Sequence, residues 1–338
     1  MITKLIELSV RHRWIVLMAT VVAIFAGWWA ADNIAVDAIP DLSDVQVIIQ
    51  TEYTGQPPQV VEDQVTYPLS TAMLAVPGAQ NVRGFSYFGL SFVYIIFEDG
   101  TDIYWARSRV LEYLSQMVGR LPSGVTPRLG PDATGVGWVY QYALTDTTGR
   151  QSLADLRSIQ DWFLKYELSS LDGVSEVASV GGFVRQYQDE VDPRKLQHYN
   201  IPIEHVIMAV KQSTNAVGGR LLELGETEFM VRNQAYIGDL EDLRNTPVHT
   251  PNDGPPVMLS SVAEIQIGPE IRRGLAELDG TGETVGGIIV MRFGDNAREV
   301  IQRVKTKLDE LRDGLPEGVQ VVPVYDRSGL IDRATTNL

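Results

Sequence analysis

The sequence predicts an α+β protein: one N-terminal transmembrane helix followed by two split βαβ (ferredoxin-like) units, the second interrupted by an inserted mixed α/β segment. Three observations carry this. An apolar run near the N-terminus is long enough to cross a bilayer. The order strand–helix–strand–strand–helix occurs twice. Each occurrence ends on the pattern L-P-x-G-V, first at Leu121–Val125 and again at Leu315–Val319.

From Trp14 to Ala31 every residue is apolar except Thr20. A helix of that length at about 1.5 Å per residue reaches roughly 27 Å, close to the hydrocarbon thickness of a membrane. Lys4, Arg11 and Arg13 precede the run, and Trp14, Trp28 and Trp29 stand at its two ends as interfacial anchors. The positive-inside rule then places the N-terminus in the cytoplasm and the bulk of the chain on the far side. A cleaved signal peptide fits poorly, because cuts after Ala30 or Ala31 put Trp28 or Trp29 where a small residue is needed. A core helix of a soluble protein seldom carries this basic and aromatic flanking.

Val45–Tyr53 alternates as a strand. Pro57 and Pro58 open a helix to about Ala75, Val76-Pro77-Gly78 breaks it, and strands follow at Asn81–Tyr87 and Leu90–Phe97. Ile103, Ala106, Val110, Leu114, Met117 and Leu121 recur at three- and four-residue spacing, which predicts an amphipathic helix. The order then repeats: strand Val136–Thr145, a helix from Ser152 with Asp155 completing a capping box, and a turn at Leu171–Val174. A strand follows to Val180. Later come strand Thr284–Phe293 and a helix through Val300, Val304, Leu308 and Leu311. This is an internal duplication with residues 183–273 inserted into its second copy. Within the insertion, Val184–Val191 reads as a strand, Ile203–Gln212 as a helix, Val217–Arg220 as the start of a flexible loop and Phe229–Tyr236 as a strand. Thr246–Pro256 reads as a turn, and Val257–Ile267 leads back.

Composition bounds the chemistry. The chain has 338 residues, 44% of them hydrophobic, enough for more than one core. Its 28 basic and 43 acidic residues give a net charge of −15, which argues against a nucleic-acid partner. The chain has no cysteine, hence no disulfide, thiolate zinc site or cysteine nucleophile. No nucleophile–base arrangement, GxGxxG or Walker-A pattern is present, so neither an enzyme nor a cofactor is predicted.

Six motifs stand out: Asp41–Val47 (DLSDVQV), Val65–Leu69 (VTYPL), Phe97–Arg109 (FEDGTDIYWARSR), Gly130–Tyr140 (GPDATGVGWVY), Val191–Leu196 (VDPRKL) and Tyr325–Ala334 (YDRSGLIDRA). In these the sequence resembles, end to end, the N-terminal part of a heavy-metal efflux pump of the resistance-nodulation-division (RND) superfamily. GPDATGVGW in particular is closer to the copper/silver (Cus-type) branch than to the cobalt-zinc-cadmium branch.

The resemblance implies a cytoplasmic N-terminus and first transmembrane helix (1–36), and a first porter subdomain (37–135). It further implies a second porter subdomain (136–182 and 274–327), a docking subdomain (183–273) and the start of the lead-in to a second membrane helix (328–338). It implies a homotrimer in the inner membrane of a Gram-negative bacterium, driven by proton influx and exporting Cu(I) or Ag(I) through a periplasmic adaptor and an outer-membrane channel. The same machine for Zn(II), Co(II) or Cd(II) is the near alternative; a membrane-anchored periplasmic binding or adaptor module is the distant one. Val217, Gly218, Gly219, Arg220 and Glu223 match the region where such pumps reach into a neighbouring protomer. One span cannot form a proton relay, so the intramembrane acids, a second porter pair and the main methionine site are expected beyond Leu338. The region 32–327 alone is expected to bind Cu(I) weakly or not at all.

Thioether sulfur suits monovalent copper and silver. The eight methionines, Met1, Met18, Met73, Met117 and Met208 among them, read as membrane or core packing, with Met230, Met258 and Met291 the candidate relay positions. Ile271 stands where the copper/silver branch carries methionine. His198 and His205 are separated by Pro202 and read as surface residues. Asp41, Asp44, Glu62 and Asp63 read as solvated acids able to attract cations by their field. Arg83, opening a strand ahead of Gly84, is either the charge of a cleft or half of a salt bridge.

Overall fold

The structure is a computed structural model that describes residues 9–33, 37, 39–214, 218–224, 227–232, 237–251, 254–272 and 274–336. Helix α1 (Arg13–Asn33) takes up the apolar run. No part of its Arg13–Ala30 window is buried, so it is not a core helix of this chain, and it is long and apolar enough to cross a membrane. The rest is mixed α/β and divides into two compact units, residues 152–158 with 181–275 forming one and the remainder the other.

In the larger unit, β1 (Gln46–Glu52) is followed by helix α2, which opens at Pro58–Val61, passes through a π turn at Glu62–Thr66 and continues as Tyr67–Met73. Strands β2 (Ala79–Tyr87) and β3 (Leu90–Phe97), helix α3 (Ile103–Met117) and a short β4 (Pro127–Leu129) complete the first repeat. The sheet order is β2-β3-β1-β4. One face is covered because β1 and β3 alternate: Val47, Ile49, Val93 and Ile95 meet Val65, Leu69 and Met73 of α2 and Ala106, Val110 and Leu114 of α3. The stripe read at three- and four-residue spacing is thus the buried face of α3.

The second repeat runs β5 (Trp138–Asp146), then α4 through Leu153–Ile159, a π turn at Gln160–Leu164 and Lys165–Ser169. Strand β6 (Val174–Gly181) follows. After the inserted segment come β13 (Val285–Met291), α9 (Ala297–Leu311) and β14 (Val319–Asp326). The sheet order β14-β5-β13-β6 is the first sheet's order read from the other side, with β5, β6, β13 and β14 in the places of β1, β2, β3 and β4. The likeness extends to detail. α3 and α9 each have 15 residues, and each runs into a three-residue 3-10 turn just before L-P-x-G-V. Asp102 caps α3 by accepting from Trp105 N (2.7 Å), and Asn296 caps α9 by accepting from Arg298 N (3.1 Å). The breaks after both first helices are glycine turns at positive φ, Gly78 (78°) and Gly173 (85°).

Two features depart from the sequence reading of these repeats. Each L-P-x-G-V leads into a fourth strand, β4 or β14; β4 spans only three residues, too few to show period-two alternation. Both first helices carry a π turn, which a 3.6-residue pattern does not reveal. The capping box is present as read: Ser152 N donates to Asp155 Oδ2 at 3.0 Å and Asp155 N to Ser152 Oγ at 3.2 Å.

The smaller unit holds β7 (Arg185–Val191) paired with β12 (Ala263–Pro269), α5 (Pro193–Tyr199), α6 (Ile203–Ser213) and the hairpin β8 (Gly218–Leu224)–β9 (Thr227–Arg232). It continues with α7 (Leu240–Arg244), β10 (Pro247–His249) paired with β11 (Val257–Met258), and α8 (Leu259–Val262). Leu196, Val206, Leu243, Val248, Leu259 and Ile265 form its core. The segment read as a loop from Val217 is instead a strand from Gly218, because its Leu221–Leu224 run pairs antiparallel with Thr227–Met230. The helix α5 escaped notice, although Asp192 caps it, Pro193 opens it and left-handed Asn200 (φ 52°) ends it.

Candidate functional site

The face of the first sheet turned away from α2 and α3 carries a hollow of about 280 Å³ lined by Gln46, Arg83, Phe85, Tyr87, Phe92, Tyr94 and Ile96. Strand periodicity produces it. Arg83 lies opposite Tyr94, which in turn lies opposite Ile48; Phe85 lies opposite Phe92. Phe85 meets Tyr94 edge-to-face with centroids 5.5 Å apart, and Tyr87 meets Phe92 at 6.1 Å. β2 is held close to α2 at Gly84, where a Cβ would stand 2.5 Å from Thr66 Cγ2 and 2.8 Å from Ser70 Oγ. Thr66, at the end of the π turn, shares a 2.7 Å hydrogen bond with buried Ser91 and accepts from Ser86 Oγ at 2.8 Å. Arg83 forms no ion pair among the described residues, so the salt-bridge alternative is not realised there. The hollow offers aromatic faces and one guanidinium and no sulfur, imidazole or carboxylate; its chemistry is that of a wall, not of a cation ligand set.

The motif GPDATGVGWVY joins the two repeats through Asp132. Its carboxylate accepts from Ser175 Oγ and from Tyr104 Oη (3.2 Å) and pairs with Arg292 (3.1 Å). Burial by itself would raise the Asp132 carboxyl, but Ser175, its own backbone N–H, Arg292 and Tyr104 outweigh it and hold it below the ordinary carboxylate range. The motif's glycines sit close to their neighbours: a Cβ on Gly130 would stand 3.2 Å from Ile48 Cβ and one on Gly137 3.1 Å from Thr134 O, while Gly130 N donates to Ile48 O and Gly137 O accepts from Met291 N, each at 2.7 Å. A second set of contacts is built on buried Arg327, which donates to Asp37 (3.0 Å), Val136 O (2.5 Å) and Trp138 O (2.8 Å). Asp41 joins it. Burial would raise its carboxyl too, yet hydrogen bonds from Thr134 and Ser43 and the charge of Arg327 keep it below the ordinary range. Motifs far apart in sequence therefore meet, since DLSDVQV, GPDATGVGWVY and YDRSGLIDRA supply Asp41, Thr134 and Arg327.

A family model described as AcrB/AcrD/AcrF family matches residues 5–338. The chain belongs to this family. Over all 338 residues it is 57% identical to the cation efflux system protein CusA of Escherichia coli (strain K12) and 55% identical to the putative cation efflux system protein SilA of Salmonella typhimurium. The cobalt-zinc-cadmium resistance protein CzcA of Cupriavidus metallidurans is 33% identical over 99% of the chain. The chain spans about a third of these relatives, 32% of each. A crystal structure of a heavy metal efflux pump superposes on 98% of the chain with a TM-score of 0.86 and 31% identity.

In this AcrB/AcrD/AcrF family member the sequence-singled residues scatter. Met73 and Met117 are buried in the first core, and Met18 stands exposed on α1, as read. Met291 ends β13 half-buried beside the connector, while Met258 pairs with Pro247 in the smaller unit. Met230 lies on β9 opposite Leu221, and Gly218, Gly219, Arg220 and Glu223 lie on β8; Val217 falls outside the described residues. Ile271 is exposed. Glu62 and Asp63 open the π turn on the exposed side of α2, and Asp44 is exposed ahead of β1. His198 packs edge-on against Tyr199, and His205 faces His249 instead of His198. Asp132 and Arg327 were missed as individual residues. Both sit inside motifs of the resemblance; for Asp132, a charged residue between Gly130 and Gly135, the glycines were the available signal, and Arg327 had none of that kind.

Proposed function

We propose that this chain is the N-terminal portion of an inner-membrane, proton-driven exporter of Cu(I) and Ag(I). What carries the reading is the match over all 338 residues, at 57% identity, to a protein named for cation efflux. The shared sheet order supports reading 37–135 and 136–182 with 274–327 as two ferredoxin-like porter subdomains, with 183–273 as the docking insertion and α1 as the first membrane helix. In a homotrimer served by an adaptor and an outer-membrane channel, the porters move as rigid bodies about a periplasmic cleft. The aromatic hollow at Arg83 forms part of the cleft wall. Val217, Gly218, Gly219, Arg220 and Glu223, on and beside the β8–β9 hairpin, contact a neighbouring protomer. Met230, Met258 and Met291 are the candidate relay points for the ion.

The test is a chimera in which this chain replaces the matching third of CusA in an Escherichia coli strain lacking that protein. Recovery of silver and copper tolerance is the expected result. Recovery of zinc or cobalt tolerance instead, or no recovery from a chimera that reaches the membrane, overturns the proposal.

A further inference from the structure

The smaller unit brings two imidazoles and a thioether to one place. His205 and Met208 stand three residues apart on α6, and so on one side of that helix. His249 ends β10, and its ring lies 6.5 Å from that of His205, the planes inclined by only 25°. A hollow of about 410 Å³ opens beside His205 and Met208, with Gln212, Thr246, Pro247 and Val248 also in its lining; His249 follows Val248 at its edge. The backbone on both sides is fixed, because the chain neighbours Val206 and Val248 are buried in the unit's core. Neither imidazole has a hydrogen bond or ion pair among the described residues, and Met208 is 51% exposed although a large apolar side chain gains nothing from water there.

We propose that His205, Met208 and His249 form a surface site for a monovalent soft cation, Cu(I) or Ag(I). Metal–nitrogen bonds of about 2.0–2.1 Å place two imidazole centres roughly 6 Å apart when they share one ion edge to edge; the rings here are stacked at a similar spacing, so sharing an ion requires the two exposed side chains to turn their nitrogens toward each other. Imidazoles alone serve zinc, nickel and either copper state; the thioether narrows the set to Cu(I) and Ag(I). All three donors are exposed, so the site takes up and releases its ion from solvent. It is read from donor atoms within one compact unit, and holds whether or not the chain takes part in transport.

The full chain in detergent is titrated with Ag(I) by calorimetry and with Cu(I) against a chromophoric chelator, alongside His205→Gln, His249→Gln, Met208→Leu and, as a control, His198→Gln. Each of the first two variants is expected to weaken one equivalent of binding at least about tenfold, the equivalent of 1.4 kcal/mol. Met208→Leu is expected to weaken Ag(I) more than Zn(II), and His198→Gln to match the unaltered chain. Equal binding by the unaltered chain and both histidine variants overturns the site, and tighter binding of Zn(II) than of Ag(I) overturns its assignment to soft cations. Tolerance conferred by the chimera is a separate readout: its loss with Ag(I) binding intact counts against the transport reading alone.

Discussion

Arg327 and Asp37 form an ion pair at 3.0 Å across 290 positions of sequence, with Arg327 only 3% exposed. The same guanidinium satisfies the carbonyls of Val136 and Trp138, so it ties the segment after α1, the inter-repeat connector and the end of β14 together. Arg327→Ala strands those acceptors and is expected to cost about 3 kcal/mol of unfolding free energy in urea melts in detergent. Asp37→Asn removes the paired carboxylate but leaves the buried guanidinium its two carbonyls and the nearby charge of Asp41, and is expected to cost less, about 1–2 kcal/mol. Equal costs would mean that the carbonyl bonds contribute little.

Gly84 marks where β2 presses on α2. Gly84→Ala drives a methyl into Thr66, a stiff β-branched side chain already committed to Ser86 and Ser91. The expected loss is about 1–3 kcal/mol, with altered near-ultraviolet signals from Phe85 and Tyr94. A variant as stable as the parent would show that β2 can lift from the helix at no cost.

Asp189 lies on β7 opposite buried Ile265, and one of its carboxylate oxygens is buried without a hydrogen-bond partner among the described residues. Burial pushes its carboxyl above the ordinary value. A carboxyl raised in the folded state favours folding only while protonated, so this contribution is lost as pH rises from the unfolded value through the folded one. Asp189→Asn is therefore expected to stabilise the chain at neutral pH, by on the order of 1 kcal/mol, and to flatten that part of the stability–pH curve. Destabilisation at pH 7 would point to a partner for the carboxylate.

Asp146 shows the opposite sign. The Thr148 hydroxyl, then the backbone N–H of Gln151 and others, hold its carboxyl at about 2. Its stabilising contribution is full above the unfolded value and fades as pH falls from there towards 2. A carbon-13 titration of the side-chain carboxyl is expected to give a midpoint near 2, moving upward in Thr148→Ala. A midpoint unmoved by that change would assign the effect to the backbone donors alone.

Much of this protein is legible in its sequence. The apolar run, the 3.6-residue stripe of α3, the Ser152–Asp155 box and the glycine turns depend on residues close in sequence, so local propensity and burial patterning determine them. The duplication was legible because each repeat carries its own copy of those local signals. Tertiary structure alone decided what depends on where the chain returns. The fourth strand of each sheet takes its place from the partner it pairs with, and β8 became a strand because Thr227–Met230 came back to pair with it. Asp132 and Arg327 act through partners drawn from several elements, and His205 stands beside His249, a residue far along the chain that no local spacing connects to it. Such pairings repay the entropy of closing long loops only when whole elements dock, and a linear reading of residues holds no record of that docking.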